Sequence, residues 1–590
     1  MARHFAQDTR GARGALGDAP ARGGQARRDP SPVPAVLLAL LVGFFAVCGA
    51  QLHAYDAVDW HSLLTWCAML GVAAVASVLL TLLFRLLDRR VSPIMARPVG
   101  ERDRLLRRRV LVAGVAVMAL CWLVVWLAAW PGFFCYDTWA FNSRLETGRL
   151  NAQQSVLHTL LVTTVLQGAH ALLGGWNAAV AVYTLVQGVV VAGSAAWALV
   201  RLERAGAPLP FLVCGIAYFS LNPFIVMFGL CSTKDTLFAV WTLLLVMELA
   251  GLRGGAGGKG GDGAAAAGSR RGGIFAAARC AVLVFLMGAY RNNAPYVLAV
   301  ALVALAVVAV ARHGRAVALA AGTTVGLACY LAWTGPVAAA LGVVRPSSVG
   351  EMISVPAANV AYMASLGEAE PLPEGLSKLD LQAMADGWEL CRQNTDNYRN
   401  VATPLLEAGA TGEFVLYWLD CVAAHPGLAL DSALILTQPA WDPTVESTSY
   451  NFPGYPSYGE TQTSVFACLA EDPAHTDSKL PALYDLLWSI SRDADYGGRP
   501  WLAVLGSPAS LMWLTLACLA YAAARRNARG VAAAGLLALL SATLLLGPTV
   551  LPRYYWFLYL CAPVTVWVSL AGGRGGAGCR ERGGDAGETR

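Results

Sequence analysis

Residues Leu63 to Leu87 read LLTWCAMLGVAAVASVLLTLLFRLL, an apolar run in which Arg85 is the one charged side chain. An α-helix needs about 20 mostly apolar residues to cross the roughly 30 Å of hydrocarbon in a bilayer. Inside lipid, each backbone polar group must be satisfied within the protein, and a lone segment achieves this only as a helix. The stretch therefore predicts a membrane-spanning helix.

The same pattern recurs along the whole chain. Of its 590 residues, 56% are hydrophobic and 14% are charged, whereas soluble domains carry about 25% charged residues. We predict an all-α polytopic membrane protein with about 12 transmembrane helices, and we exclude a soluble enzyme. The predicted spans are 33–52, 63–87, 110–130, 176–200, 209–228, 236–252, 274–290, 295–311, 316–336, 502–522, 531–548 and 554–571.

Arginines indicate how these spans are oriented, because Lys and Arg collect in cytoplasmic loops. Arginines crowd the N-terminal segment and the loop 88–109, and smaller basic clusters follow at 201–208, 253–273, 312–315 and 523–530. All of these clusters fall on one side only if the apolar run 154–173 does not cross. We therefore predict 154–173 as a helix at the outer surface, or dipping partway in, and both termini in the cytoplasm of a multi-pass cell-membrane protein. The net charge of +5 comes from these basic loops, where the arginines indicate orientation. We therefore expect no nucleic-acid partner.

Five regions follow from this topology. We expect a disordered cytoplasmic tail at 1–32, a transmembrane core at 33–336 that contains an outer loop at 131–175, and an extracytoplasmic segment at 337–501. The C-terminal transmembrane helices occupy 502–571, and 572–590 form a second cytoplasmic tail. Cys391, Cys421 and Cys468 lie in the extracytoplasmic segment, where a disulfide between two of them stays open.

The outer loop contains the first chemically notable residue. It reads Trp130-Pro-Gly-Phe-Phe-Cys-Tyr136-Asp137-Thr138. Partial desolvation among aromatic rings would raise the pKa of Asp137 and make it a better base; a solvated Asp beside an aromatic belt is the alternative. His158, at the start of 154–173, either orients a phosphate or sugar hydroxyl or simply lies at the interface.

Three further outer turns hold polar side chains at otherwise apolar helix ends. By the predicted topology they share a face with Asp137, and charged groups at membrane depth usually face a protein-lined cavity. Arginine grips phosphate oxygens bidentately, so such a face suits a lipid-linked phosphate donor; snorkelling at span ends is the alternative for each cation. The residues are Lys234 and Asp235, then Arg291, Asn292 and Asn293, then Arg553, Tyr554 and Tyr555.

Two motifs resemble the GT-C superfamily of polytopic glycosyltransferases, which includes protein O-mannosyltransferases and the lipid A aminoarabinose transferase. Tyr136-Asp137-Thr138 matches the position of an acidic residue in the first large outer loop of that family. Leu157-His158-Thr159-Leu160 is similar to its next segment, although Gln154-Ser155 stands where His-Pro is typical. The resemblance covers about 110–340 and, more weakly, 500–571.

The resemblance implies a divergent glycosyltransferase. It would move a sugar from a polyprenyl-phosphate lipid in the membrane to a cell-envelope glycan or protein on the extracytoplasmic face. Asp137 would be the catalytic base, and Arg553, Arg291, Lys234 and His158 would bind the donor phosphate. Trp441 and Asp442 are predicted to bind the acceptor, because aromatic faces suit sugar rings. The chain has no Cys/His cluster at metal-ligand spacing; a divalent cation between Asp137 and Asp235 stays open, because the family divides on metal use.

Two other function classes remain open. A lipid or solute transporter or flippase would show charged or broken positions in the middle of its spans, whereas the spans here are nearly free of ionisable groups. A catalytically inactive envelope-assembly protein would explain the Gln154-Ser155 departure.

Overall fold

The computed structural model describes residues 29–95, 101–133, 138–252, 270–312, 314–345, 349–392, 395–445, 477–492, 499–547 and 549–571. In these ranges the chain is helical and contains no β-strand, with isolated bridges joining Phe133 to Cys231 and Asn151 to Val344. The all-α fold class is therefore confirmed. The predicted tails lie outside the described residues, except for 29–32.

The helices of the first part of the chain follow the predicted spans closely. They are α1 (Val33–Tyr55), α2 (Leu63–Leu86), α3 (Glu101–Ala128), α4 (Thr138–Thr147), α5 (Val156–Leu173), α6 (Trp176–Arg204), α7 (Leu209–Leu221), α8 (Pro223–Gly229), α9 (Lys234–Leu249), α10 (Arg270–Tyr290), α11 (Ala294–Arg312) and α12 (Arg315–Ala332). A π-helical turn at Leu87–Val91 and the short helix Ser92–Met95 extend α2, and a second π-helical turn at Trp333–Val337 and the short helix Ala338–Ala340 extend α12.

The remaining helices are α13 (Val349–Ser365), α14 (Thr411–Ala424), α15 (Pro426–Trp441), α16 (Pro508–Ala524), α17 (Ala528–Leu544) and α18 (Trp556–Ala571). Shorter α-helices lie at Leu381–Asp386, Trp388–Cys391, Arg399–Ala408, Pro481–Arg492 and Pro500–Gly506. Short 3-10 turns lie at Glu374–Leu376, Thr395–Tyr398 and Pro552–Tyr555.

Within the described ranges, nine helices are long and apolar enough to cross a membrane, or up to 11 if each of two bent pairs counts as one span. Each predicted span is helical, but α9 has 16 residues and α16 and α17 have 17. One bent pair is α7 with α8, which meet at 58°. At the bend, the Asn222 side chain accepts a hydrogen bond from the Phe224 N–H and so caps the start of α8. The membrane character of the fold is confirmed, at a lower count of full-length spans than predicted.

Helix α9 runs through the middle of the bundle and is buried along most of its length. It packs against α6, α10, α17 and α18. Lys234 and Asp235 therefore lie at one end of the bundle and Glu248 at the other. We call the first the site end and the second the opposite end.

Helix α5 passes the length and composition test for a span, but its contacts lie at the site end. Ser155 donates to the carbonyl of Ala289, and the His158 ring bonds the carbonyl of Ser232. At its other end, His170 stacks on Trp176, the first residue of α6, with ring centroids 4.1 Å apart. These contacts favour the surface position predicted for 154–173, which stays a prediction.

The segment 349–445 folds into helices whose hydrophobic core also includes Cys48, Leu52, Val58 and Met69 of the N-terminal helices and their connection. This core rests on the α1–α2 connection, where the Trp60 indole N–H donates to Asp431 at 2.9 Å. Helices α14 and α15 meet at an angle of 108° and together are apolar enough to form one broken span. This part of the chain is therefore less polar than we predicted for the extracytoplasmic segment. Cys421 is a buried free thiol; Cys468 and the side chain of Cys391 lie outside the described residues.

Candidate functional site

A buried ion pair forms the centre of the site end. Thr233 caps the start of α9 through the Asp235 N–H, and the Asp235 carboxylate lies 3.3 Å from the Arg291 guanidinium. Asp235 is 2% exposed and Arg291 is 9% exposed. Arg291 also donates to the carbonyl of Tyr554 at 3.0 Å and lies over its ring. The pair therefore joins α9, α10 and the turn before α18.

Two cations beside this pair remain half-buried, and solvent reaches them. The Arg553 guanidinium lies 5.1 Å from the centroid of the Tyr554 ring, so the ring contacts both Arg553 and Arg291. Lys234 donates from its Nζ to the side-chain oxygen of Gln154. Each of these partly exposed cations can attract an anion, and the Arg553 guanidinium can hold phosphate oxygens bidentately.

His158 is a positioning residue in this arrangement. Its Nε2 lies 2.9 Å from the carbonyl of Ser232, and since a carbonyl only accepts, this nitrogen carries the hydrogen. The ring is 2% exposed and packs between Phe141 and Tyr290. The buried ring of His158 is therefore poorly placed for the predicted contact with phosphate. Its hydrogen bond instead joins α5 to the turn before α9.

The other predicted side chains divide between site and scaffold. Tyr555 is fully buried, and its hydroxyl has no hydrogen-bond partner within the described residues. The buried hydroxyl of Ser232 likewise has no hydrogen-bond partner within the described residues. Buried polar groups of this kind usually bind a ligand or an ordered water. Asn293 donates to Thr543 at 2.8 Å, so it fastens the α10–α11 turn to α17, whereas Asn292 lines a neighbouring cavity.

That cavity has a volume of about 330 Å³ and opens beside the start of α5. Polar and aromatic side chains line it, including Gln154, Asn292, Tyr330, Trp333 and Arg345. Its volume lies within the range of small-molecule sites, about 300–1,000 Å³. Because Gln154 also accepts from Lys234, the cavity adjoins this cation of the site end.

A second cavity, of about 390 Å³, is an apolar groove between α3 and α6. Along α3 it extends from Val115 to Trp126, a rise of about 16 Å. Small residues of α6, Gly188 and Gly193 among them, form its floor, and Leu230 lines it just before the turn that leads to Lys234. The groove is therefore chemically suited to a hydrocarbon chain.

Asp137 and Tyr136, the predicted base and its neighbour, lie outside the described residues. The chain on either side of them does contact the site. Phe133 exchanges backbone hydrogen bonds with Leu230 and Ser232, and Phe141 packs against His158. The outer loop thus leaves and returns beside the turn that precedes Asp235.

The predicted acceptor residues lie elsewhere. Asp442 accepts from His53 of α1 at 2.9 Å and from Thr444, and the carbonyl of Trp441 accepts from Trp513 of α16. These contacts join α15 to α1 and α16 and do not bring Trp441 or Asp442 to the Asp235–Arg291 pair. The aromatic stretch after them, within 446–476, lies outside the described residues.

The described residues contain no group of three or more His, Cys, Asp or Glu that could hold a metal ion. Asp235, for which a shared divalent cation with Asp137 was left open, has the Arg291 guanidinium 3.3 Å from its carboxylate.

The sequence interpretation did not assign Gln154 and Ser155 to the site. Ser155 is the N-cap of α5, since its hydroxyl accepts from the His158 N–H, and Ser is among the best residues for that position. Gln154 holds Lys234. The departure from the His-Pro pattern therefore has a structural explanation here. Ser before an apolar run is a recognisable cap signal, whereas nothing local identifies the partner of Gln154.

Comparison with known proteins relates part of the chain to a family model. A family of unknown function, DUF6020, has a model that matches residues 144–334. That segment contains His158, Lys234, Asp235 and Arg291 and stops well before Arg553. No curated protein and no solved structure matches the chain.

Proposed function

We propose that this protein is a membrane glycosyltransferase that moves a sugar from a polyprenyl-phosphate donor to a cell-envelope acceptor. The observation that carries the proposal is the convergence of cations and a carboxylate from distant parts of the chain at one end of an apolar bundle. Asp235, Arg291, Tyr554 and Arg553 are joined there by direct contacts, and Lys234 precedes Asp235 in α9. The apolar groove that ends near Leu230 offers room for the lipid chain.

The residues divide the chemical work as follows. Lys234 and Arg553 hold the phosphate of the donor and stabilise the negative charge that grows on it as it leaves. Asp137 accepts the proton of the acceptor hydroxyl while that oxygen bonds the anomeric carbon and the bond from this carbon to the phosphate oxygen breaks. Arg291 acts through Asp235 and Tyr554 as a positioning residue, because its buried guanidinium is already engaged by both.

The proposal includes an orientation. The site end faces the extracytoplasmic side of the cell membrane, and both termini lie in the cytoplasm, as the distribution of arginines predicts. The partners are then the polyprenyl-phosphate sugar, the surrounding membrane lipid and an envelope glycan or protein. The GT-C resemblance supports this assignment, with this chain as a divergent member.

The test is transfer by the purified protein in liposomes. We would supply a panel of radiolabelled polyprenyl-phosphate sugars and follow the label into lipid, glycan and protein fractions. With the active donor, Asp137→Asn should transfer about 10²–10⁴-fold more slowly, while Glu146→Gln, an exposed acid of the same loop, should transfer at the wild-type rate. No transfer from any donor, or an unimpaired Asp137→Asn protein, would contradict the assignment.

A flippase is the second candidate, because α7 and α8 form a helix broken by 58°. Discontinuous helices often build substrate sites in transporters. In the same liposomes, a flippase would move intact labelled donor between leaflets and release no lipid phosphate.

A further inference from the structure

The opposite end of α9 carries a second buried carboxylate. Glu248 is 0% exposed. Arg279 of α10 pairs with it through two hydrogen bonds, at 3.0 and 3.2 Å, and Arg315 of α12 approaches the same carboxylate at 3.0 Å. One buried carboxylate therefore meets two guanidinium groups.

A third arginine lies close by. Helix α9 ends at Leu249 and is followed by Gly251, which has a φ of 76°. A Cβ on Gly251 would lie 2.9 Å from Nη1 of Arg315 and 3.8 Å from Cζ of Arg529. The two guanidinium groups thus converge on the same point. We call Arg279, Arg315 and Arg529 the arginine cluster.

The arginine cluster has more positive than negative charge. Glu248 neutralises one of its three cations, and the C-terminus of α9 supplies roughly half a negative charge, part of it through the Glu248 carbonyl that accepts from Arg315. An excess of more than about one positive charge remains. Within the described residues, Arg529 forms no ion pair, and Nε of Arg315 has no hydrogen-bond partner. Like charges held this closely repel one another, and a bound anion would relieve that repulsion.

The cluster is open to such an anion. The side chains of Arg279 and Arg315 are 37% and 35% exposed, and Arg529 is exposed. Glu248 lies 13 positions after Asp235 in α9, a distance of about 20 Å along the axis. The cluster therefore lies well away from the site end, and Arg315 and Arg529 belong to the basic clusters at 312–315 and 523–530, which the positive-inside rule predicts at the cytoplasmic interface. Basic pockets between transmembrane helices at that interface bind lipid phosphates.

We propose that the arginine cluster binds a phosphate-bearing anion, the head group of an anionic phospholipid or free phosphate. Arg315 and Arg529 would contact the phosphate oxygens on either side of Gly251, and Glu248 would hold Arg279 and Arg315 in place. This binding site does not depend on the glycosyltransferase proposal, because the two lie at different ends of the bundle.

The test is lipid binding by the full chain in detergent, followed by native mass spectrometry. Phosphatidylglycerol and phosphatidylcholine would be titrated separately, each with and without inorganic phosphate. We expect the wild-type protein to prefer phosphatidylglycerol, and Arg529→Gln to weaken that binding about tenfold or more. Arg526→Gln, an exposed arginine of the same turn, is the matched control and should bind like wild type.

The competition with inorganic phosphate distinguishes the two ligands. Phosphatidylglycerol that inorganic phosphate does not displace assigns the lipid head group, and displacement assigns free phosphate as a sufficient ligand. Equal binding of the two lipids without competition by phosphate, or equal binding by wild type and Arg529→Gln, would overturn the proposal. Because Arg529 is exposed, its replacement should leave the unfolding temperature unchanged, which the same preparation checks.

Discussion

At the scale of single residues, the Asp235–Arg291 pair is the feature with the largest energetic consequence. Both side chains are almost fully buried. Removing one partner of such a pair leaves a buried charge uncompensated, at a cost of about 3–5 kcal/mol, whereas removing both charges costs much less.

We therefore predict that Arg291→Met lowers the free energy of unfolding by about 3–5 kcal/mol, measured by denaturant titration in detergent. Adding Asp235→Asn to that variant should recover about half of the loss or more. A double variant no more stable than Arg291→Met alone would show that the carboxylate is not buried as a charge.

The residue scale also shows what could be predicted from sequence. Lys234, Asp235, Arg291 and Arg553 stand out because a charged group at the end of an apolar run is costly without a purpose. Their partners could not be predicted, since Arg291 contacts Tyr554 only after α10 and α18 both pack against α9. His158 was placed at the site, but its bond to the Ser232 carbonyl depends on tertiary contact.

At the scale of helices, apolar length predicted the elements well and their membrane role less well. Helix α9 has 16 residues and is buried inside the bundle, so it does not need the length of a lipid-facing span. Helix α5 has the length and hydropathy of a span, yet both of its ends contact elements of the site end. For α5, the charge distribution predicts a surface position where hydropathy alone predicts a span.

The position of α5 is tested by reporter fusions. A reporter placed after Gly175 should report the extracytoplasmic side, and one placed within 255–268 the cytoplasmic side, because the basic loops must lie inside. A cytoplasmic signal at Gly175 would mean that 154–173 crosses the membrane, and the side assigned to the site end would then be wrong.

At the scale of the whole molecule, the segment 349–445 is attached to the N-terminal helices rather than to the site. Trp60 donates to the buried Asp431 and packs against Gly427, and Tyr362 donates to the carbonyl of Asp56. The sequence predicted a separate extracytoplasmic segment at 337–501, but the surface that this segment packs against is a property of the assembled bundle.

We expect Trp60→Ala to loosen this attachment, because it leaves Asp431 buried without the indole donor and opens a cavity. Hydrogen exchange should become faster in α13 and α15 while α9 and α10 keep their protection. Trp66→Ala, a more exposed tryptophan of the same region, serves as the control. Equal acceleration in α9 would indicate general destabilisation instead of a local attachment.

The central claim concerns the whole molecule as well: the site end binds a lipid-linked sugar phosphate. The most direct measurement is the dissociation constant of a radiolabelled polyprenyl-phosphate sugar for the protein in detergent. Arg553→Ala should weaken binding about tenfold or more, and Arg553→Lys should restore it only in part, because the bidentate fork is lost. Arg526→Ala, at the opposite end, should leave the dissociation constant unchanged. Donor binding that is absent in the wild type, or unaffected by Arg553→Ala, would contradict the claim.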